Sequence, residues 1–212
     1  MNIDKINKIA KNNVLKEDIK IKKVFDEKSR LTGPRTIYGS TKLSSEMFIE
    51  EFDFNLHLDQ IEATAKPLIE KNNNKFVIDK PNDIENLTND QTKLRQILFN
   101  MLSNAAKFTK DGVVTLAVSN YGDKVRFAVI DTGIGMNEET QKNIFAPFFS
   151  TNDDWGTGLG LAISYRIVAD HNGEIEVSSS VDEGSFFTVR LPINIEPQNN
   201  LEEHDGATDI DS

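Results

Sequence analysis

The sequence contains no cysteine, which excludes disulfide bonds and thiolate metal sites. It has no run of about eighteen apolar residues and no charged-then-apolar leader, so we expect neither a membrane segment nor a signal peptide. Acidic residues outnumber basic ones by 34 to 24, and the resulting net charge of −10 argues against general nucleic-acid binding. These absences are consistent with a protein of the reducing, cytoplasmic compartment.

Charge and composition divide the 212 residues into three regions. Residues 1–43 form a basic N-terminal segment and a linker with Gly-Pro and Gly-Ser punctuation. Residues 44–194 carry the apolar periodicity of one folded domain. Residues 195–212 hold six acids and no base among few large apolar side chains, which predicts a disordered acidic tail.

Within the central region, apolar spacing predicts helices that are segregated from a mostly antiparallel sheet. This pattern is typical of an α+β, two-layer α/β sandwich whose helices cover one face of the sheet. The predicted elements are a strand or turn before a helix over about 55–71, a strand at 75–79, a long helix to Phe108 with Asn89 or Asp90 as N-cap, a hairpin turning at Gly122-Asp123, a short helix within 137–145, a helix ended by Gly173 as its C′ residue, and a final hairpin from Glu174 to Pro192.

The long helix carries a polar stripe that its apolar surroundings do not explain. Asn100, Asn104 and Lys107 fall at i, i+4 and i+7, so they share one face of the helix. Two carboxamides offer neutral oxygens and the ammonium offers a positive charge. Mg²⁺ with nucleotide phosphates suits such a donor set.

Two glycine motifs lie further along the chain. DTGIGM (131–136) ends a strand, and its paired glycines let the backbone approach a flat ring beside the Asp131 carboxylate. GTGLGLA (156–162) opens a helix whose free backbone N–H groups suit phosphates. By itself, DTGIGM is more typical of an ordinary tight turn, and GTGLG is a weak signal that also fits a helix start chosen for close packing. Their order and spacing favour the functional interpretation.

Five ordered motifs resemble the ATP-binding catalytic domain of two-component sensor histidine kinases. LRQILFNMLSNAAKFT resembles the N box, DTGIGM the G1 box, IFAPFFS the F box and GTGLGLAIS the G2 box, and HNGEIEVSSSVDEGSFFTVRLP resembles the family's ending. The family belongs to the wider group of gyrase, heat-shock chaperone, histidine kinase and mismatch-repair ATPases. The resemblance implies the Bergerat ATP-binding fold, with ATP and Mg²⁺ as cofactors.

The resemblance also implies roles for individual residues. Asn104 would hold Mg²⁺, Asn100 and Lys107 would meet the phosphates, and Asp131 would read the adenine amine. Residues 150–155 would form a lid, and Phe148 and Phe149 would anchor this lid rather than contact ATP. The remaining implied nucleotide-binding residues are Gly133, Gly135, Met136, Thr151, Gly156, Thr157, Gly158, Leu159, Gly160 and Thr188.

One position separates kinases from ATPases within the group. The hydrolysing members carry a glutamate four residues before the magnesium-binding asparagine, where it serves as the general base for water. This chain has Asn100 there, which cannot take up a proton near neutral pH. The sequence therefore favours phosphoryl transfer, which needs mainly positioning and charge neutralisation.

Two departures from the family pattern keep other functions open. His57, His171 and His204 all lack the phosphoacceptor context, and residues 1–43 contain no histidine, so autophosphorylation in cis is not expected. His171 fits a structural helix-end residue. The predicted lid carries Asp153 and Asp154, which would repel phosphates unless they point outward, and Trp155, which we assign to packing.

Three hypotheses follow. The leading one is a cytoplasmic, monomeric kinase domain that phosphorylates a histidine on a separate or missing dimerisation domain, with a response regulator downstream. The second is a non-catalytic ATP-binding module that docks on a true kinase. The third is a serine/threonine kinase of the same fold.

Overall fold

A computed structural model describes residues 48–80, 86–151 and 157–195 of the chain. The predictions for residues 1–43 and for the tail after Ile195 lie outside these ranges. The strands are β1 (Glu50–Asp53), β2 (Lys75–Asp79), β3 (Asn86–Asn89), β4 (Val113–Tyr121), β5 (Lys124–Asp131), β6 (Glu174–Ser180) and β7 (Gly184–Pro192), and the helices are α1 (Phe54–Glu70), α2 (Gln91–Phe108), α3 (Glu138–Asn143) and α4 (Gly160–Asp170).

The main sheet has five strands in the order β2-β4-β5-β7-β6. β2 pairs with β4 in parallel, and the other neighbours are antiparallel. Side chains alternate between the two faces of a strand, so the buried Val114 and Leu116 of β4 lie on the same face as Phe127 and Val129 of β5. The predicted α+β sandwich with a mixed, mostly antiparallel sheet is confirmed.

Helices pack on that apolar face, with α2 at the centre in contact with α1, α4 and the sheet. Ile97, Leu98, Met101 and Leu102 of α2 are completely buried, and each contributes about 1.5–3 kcal/mol of hydrophobic free energy. Asp90 is the N-cap of α2, because its carboxylate accepts the Lys93 N–H at 2.9 Å. No helix in the described ranges is long and apolar enough to cross a bilayer.

A second, two-stranded sheet was not fully predicted. β1 pairs with β3, and sequence analysis missed β3 because its residues, Asn-Leu-Thr-Asn, have little strand propensity. Thr88 of β3 also bridges to Asn194, and the Ile195 N–H donates to the Thr88 carbonyl at 2.9 Å. Ile195 is buried, so it packs with the domain rather than with the tail to which the sequence assigned it.

The end of α4 differs from the prediction that Gly173 is its left-handed C′ residue. Asn172 takes that conformation, at φ 53°, and asparagine is the residue that tolerates it best after glycine. Gly173 is needed for space, because a Cβ atom there would lie 2.5 Å from the Arg190 carbonyl oxygen. His171 is buried at the C-cap, and its Nδ1 lies 2.7 Å from the Ile167 carbonyl, as expected for a structural residue.

His57 on α1 is a buried titratable group outside the polar stripe. Its side chain is completely buried beside the Phe52 ring, and neither ring nitrogen has a hydrogen-bond partner among the described residues. Burial, with a smaller contribution from the positive charge of Arg95, lowers the pKa of His57 from 6.5 to about 4. The imidazole is therefore neutral in the folded protein at neutral pH.

This histidine predicts a loss of stability in mild acid. Between pH 6.5 and about 4 the unfolded chain takes up a proton at His57 that the folded chain does not, so the free energy of unfolding falls as pH falls. The full difference in pKa corresponds to about 3 kcal/mol once the pH is below 4. Urea unfolding across this pH range should give a flatter profile for His57→Leu than for the wild type, and equal slopes would contradict the prediction.

Candidate functional site: a cleft beside helix α2

A cleft of about 530 Å³ opens between α2, the loop after β5, the start of α4 and the turn from β6 to β7. Its size is typical of small-molecule sites. The three residues of the polar stripe on α2 all line this cavity. The sequence-predicted residues that line the cleft are Asn100, Asn104, Lys107, Asp131, Gly135, Met136, Thr151, Thr157, Gly158 and Gly160.

One end of the cleft holds the carboxylate of Asp131, which is only 5% exposed. Burial raises the pKa of this carboxyl above its usual value, and four donors from three residues oppose the shift. These donors are the Gly133 N–H at 2.8 Å, the backbone N–H and the hydroxyl of Ser185, and the Thr109 hydroxyl at 3.5 Å. The carboxylate is thus buried and fixed in orientation at this end of the cavity.

The loop after β5 forms one wall at this end. The Ile134 N–H donates to the Phe108 carbonyl at the end of α2, and the Ile134 carbonyl accepts the Asp182 N–H at 2.8 Å. Gly133 is behind the wall, since a Cβ atom there would lie 2.3 Å from the Phe108 oxygen. The wall is therefore hydrogen-bonded both to α2 and to the turn between β6 and β7.

The other end of the cleft carries the stripe of α2. Asn104 is half-buried, and Lys107 is exposed with its Nζ atom 5.8 Å from the centre of the Phe108 ring. Asn100, which was predicted to meet the phosphates, also contacts α4. Its Nδ2 donates to the Gly160 carbonyl at 2.9 Å and to the Ser164 hydroxyl at 3.0 Å, so both amide protons tie α2 to α4. Only the Oδ1 of Asn100 remains for a ligand, and an oxygen suits a cation rather than a phosphate.

The first turn of α4 borders the cleft at the end that carries the α2 stripe. No side chain of the described residues caps this turn at Leu159, and Leu159 itself does not line the cleft. Gly158, at φ 67°, allows the close approach to the Phe149 carbonyl, which would be 2.6 Å from a Cβ atom. The unpaired N–H groups of a helix start favour an anion. Gly156 and the predicted lid residues Asp153, Asp154 and Trp155 lie outside the described ranges.

Thr188 does not line the cleft, contrary to prediction. Its partner across the β5–β7 ladder is Ala128, and alternation puts both on the face of the sheet opposite to the helices. Ser185 and Phe187 lie on the helix-covered face of β7 and do line the cavity. Sequence analysis missed Ser185, which directly follows Gly184 and lies opposite Asp131 in the ladder.

The two phenylalanines of the F box do not act as a pair. Phe149 lines the cleft, whereas Phe148 is 69% exposed on a left-handed backbone at φ 64°. The prediction that both anchor a lid stays a prediction, because most of the lid, residues 152–156, lies outside the described ranges. Other lining residues that the sequence did not single out include Ser103, Asn137, Thr140, Val181 and Asp182.

A sequence model of the family described as histidine kinase-, DNA gyrase B-, and HSP90-like ATPases matches residues 89–195, half of the chain. The chain belongs to this ATPase family. The matched range contains α2, the loop after β5, α4 and β7, which are the elements that build the cleft.

Within the ATPase family, the curated relatives are sensor kinases. The chain is 46% identical over 109 residues to the circadian input-output histidine kinase CikA of Synechococcus elongatus, covering 49% of the chain and 14% of CikA. It is 33% identical over 189 residues to the signal transduction histidine-protein kinase AtoS of Escherichia coli, covering 88% of the chain and 29% of AtoS. The chain thus spans less than a third of the length of either relative.

Solved histidine kinases have the same fold. Full-length ShkA in complex with AMPPNP superposes with a TM-score of 0.65 and 31% identity, over 72% of this chain and 32% of ShkA. The catalytic domain of ThkA gives a TM-score of 0.62 and 30% identity, over 69% of this chain and 96% of that domain. ThkA in complex with the response regulator TrrA gives 0.60 and 26% identity, over 72% of this chain and 43% of ThkA. The chain carries the ATP-binding catalytic domain of a histidine kinase.

Proposed function

We propose that this catalytic domain binds Mg-ATP in the cleft and transfers the γ-phosphate to a histidine on a separate phosphoacceptor protein or domain, in two-component signalling. One observation carries the proposal: the cleft has a buried carboxylate, Asp131, at one end, and Lys107 with the uncapped start of α4 at the other. A nucleoside triphosphate is complementary, because its base offers an amine and its phosphates accept hydrogen bonds and positive charge.

The oxygen atoms at the end of the cleft that carries the α2 stripe, where the phosphates would lie, fit a magnesium ion. Asn104 is half-buried and lines the cleft, and the Oδ1 of Asn100 is the part of that carboxamide not engaged with α4. Mg²⁺ takes few oxygen ligands from protein and fills its shell with water and phosphate oxygens. When bound, it would neutralise the charge that builds up on the transferred phosphoryl group. Asn104 would hold it, with Asn100 as a second oxygen donor.

The absence of a base at position 100 supports transfer rather than hydrolysis. The Asn100 carboxamide has no proton affinity near neutral pH, and both its amide protons are used within the protein. It therefore cannot activate a water molecule. The residues of the cleft position the triphosphate, and the nucleophile has to come from the partner.

A transfer assay tests the proposal directly. The full chain is mixed with ATP labelled at the γ-phosphate and with a purified histidine-bearing helical hairpin domain, and we expect acid-labile label on the hairpin. Asn104→Ala should lower the rate by about 10- to 100-fold, the range for loss of a metal-site group. Asn143→Ala is the matched control, because Asn143 is an exposed residue of α3 whose side chain, within the described ranges, bonds only the Glu139 carbonyl.

The outcomes separate the three hypotheses. Acid-stable label on the partner would support the serine/threonine kinase, and an unlabelled partner despite tight ATP binding would support the non-catalytic module. A TrrA-like response regulator is the expected next acceptor, as the complex formed by ThkA suggests. Rapid release of free phosphate by the chain alone would contradict the assignment of Asn100.

A further inference from the structure

Gln141 on α3 makes three hydrogen bonds beside the cleft through its side chain, although it does not line the cavity. Its Nε2 donates to the Met136 carbonyl at 3.1 Å and to the Ser179 carbonyl at 3.0 Å. Its Oε1 accepts the Ser179 N–H at 3.2 Å. The half-buried carboxamide thus contacts two separate segments of backbone through all its polar atoms.

The contact with Ser179 completes the edge of the sheet. β6 is the last strand of the five, so the backbone groups on its outer side have no neighbouring strand among the described residues. The Gln141 carboxamide accepts from the N–H and donates to the carbonyl of one residue there, as a neighbouring strand would. One amide proton then remains, and it holds Met136 in the loop after β5.

The two segments that Gln141 joins form opposite sides of the cleft at the end that holds Asp131. We call this the base end, because the proposed function places the adenine base there. Gly135 and Met136 line it from the loop after β5, and Val181 and Asp182 line it from the turn that follows β6. The loop lies so close to β6 that a Cβ atom on Gly135 would be 1.8 Å from the Ser180 carbonyl oxygen. The relative position of these segments therefore sets the width of the cavity.

A short hydrogen-bond network runs from Ser179, which Gln141 contacts, to the buried carboxylate of Asp131. The Ser179 hydroxyl accepts the Met136 N–H at 2.9 Å and donates to the Gly184 carbonyl at 2.7 Å. It lies 3.2 Å from the Ser185 hydroxyl, and Ser185 hydrogen-bonds the Asp131 carboxylate. This network links the residue that Gln141 contacts, Ser179, to the Asp131 carboxylate.

We propose that Gln141 is a positioning residue that fixes the width of the base end of the cleft and so controls affinity for the adenosine part of ATP, independently of the triphosphate part. The proposal rests on the proposed function, since it concerns how the same cleft holds its nucleotide.

Calorimetric titration of the full chain with three ligands tests it: Mg-ATP, adenosine and magnesium tripolyphosphate. Gln141→Ala should weaken Mg-ATP and adenosine by roughly tenfold each, the loss expected for about 1.4 kcal/mol of hydrogen bonding. Tripolyphosphate binding should stay within about twofold of the wild type. Gln141→Glu keeps the acceptor for Ser179 but turns an oxygen towards two carbonyls, so its loss should be at least as large.

Gln60→Ala is the matched control, because Gln60 is an exposed glutamine on α1 whose carboxamide accepts from Arg95. It should change none of the three affinities. Equal weakening of all three ligands by Gln141→Ala, or wild-type affinity in Gln141→Glu, would overturn the positioning role while leaving the proposed function intact. A wild-type chain that binds none of the ligands would overturn the proposed function and this inference together.

Discussion

Replacement of Asp131 with asparagine is expected to weaken ATP binding by about 100-fold, the largest effect of any isosteric change in the cleft. The carboxylate is buried and held by the Gly133 and Ser185 N–H groups. In the variant, one of the two oxygens becomes an NH₂ group. In the proposed complex this NH₂ group would face the adenine amine, and neither donor would have an acceptor. A lost hydrogen bond to a charged group costs about 1.5–3 kcal/mol.

Asp59→Asn provides the matched control, since Asp59 is an exposed carboxylate paired with Lys80 at 3.4 Å. Its ATP affinity should equal that of the wild type. Thermal unfolding of Asp131→Asn should remain cooperative, because the substitution preserves shape. Unchanged ATP affinity in this variant would remove Asp131 from the nucleotide site.

The same residue predicts a pH dependence of binding. Since burial raises the pKa of Asp131, its carboxylate takes up a proton at a higher pH than an ordinary aspartate. Wild-type affinity for adenosine, which has no phosphate to titrate, should therefore fall as pH drops through that raised pKa. Asp131→Asn should bind adenosine weakly at every pH, without this fall.

Gly135→Ala is expected to abolish nucleotide binding and to destabilise the domain by more than about 3 kcal/mol. The new Cβ atom would lie 1.8 Å from the Ser180 carbonyl oxygen and 3.1 Å from that of Gly184. Both neighbours are backbone atoms at the β6–β7 hairpin, so neither can rotate away. The loop after β5 would have to move, and the wall at the base end of the cleft would move with it.

Gly122→Ala isolates the conformational part of this effect. Gly122 has φ 66°, close to the 63° of Gly135, but a Cβ atom there would meet nothing within 4 Å. Its cost should be limited to the left-handed backbone, about 1–2 kcal/mol, with ATP affinity unchanged. If urea unfolding gives the two alanine variants the same stability, the steric explanation for Gly135 is wrong.

Elements that depend on local pattern were predictable. The apolar spacing of α2 placed the helix and its polar stripe, and Asp90 was one of the two N-caps expected. The turn at Gly122-Asp123 was also found where the sequence placed it, between β4 and β5. In these cases each residue's neighbours along the chain decide its conformation, since helix faces and tight turns involve residues only a few positions apart.

The details of the cleft were less predictable, because they depend on which strands pair and in which register. Ser185 lies opposite Asp131 only because β7 adds to β5 in one particular register, and a shift of one residue would have turned Thr188 to the cleft instead. β3 forms because β1 and Asn194 provide its partners. Its own residues favour a loop.

The sequence by itself determined the family, the helix that carries Asn104 and Lys107, and the order of the motifs around the cleft, because these are encoded in spacing along the chain. Only the tertiary structure decided that Asn100 donates both amide protons to α4 and that Gln141 joins the loop after β5 to the edge of the sheet. Both are hydrogen bonds between segments distant in sequence, and such pairings exist only once packing has brought the segments together.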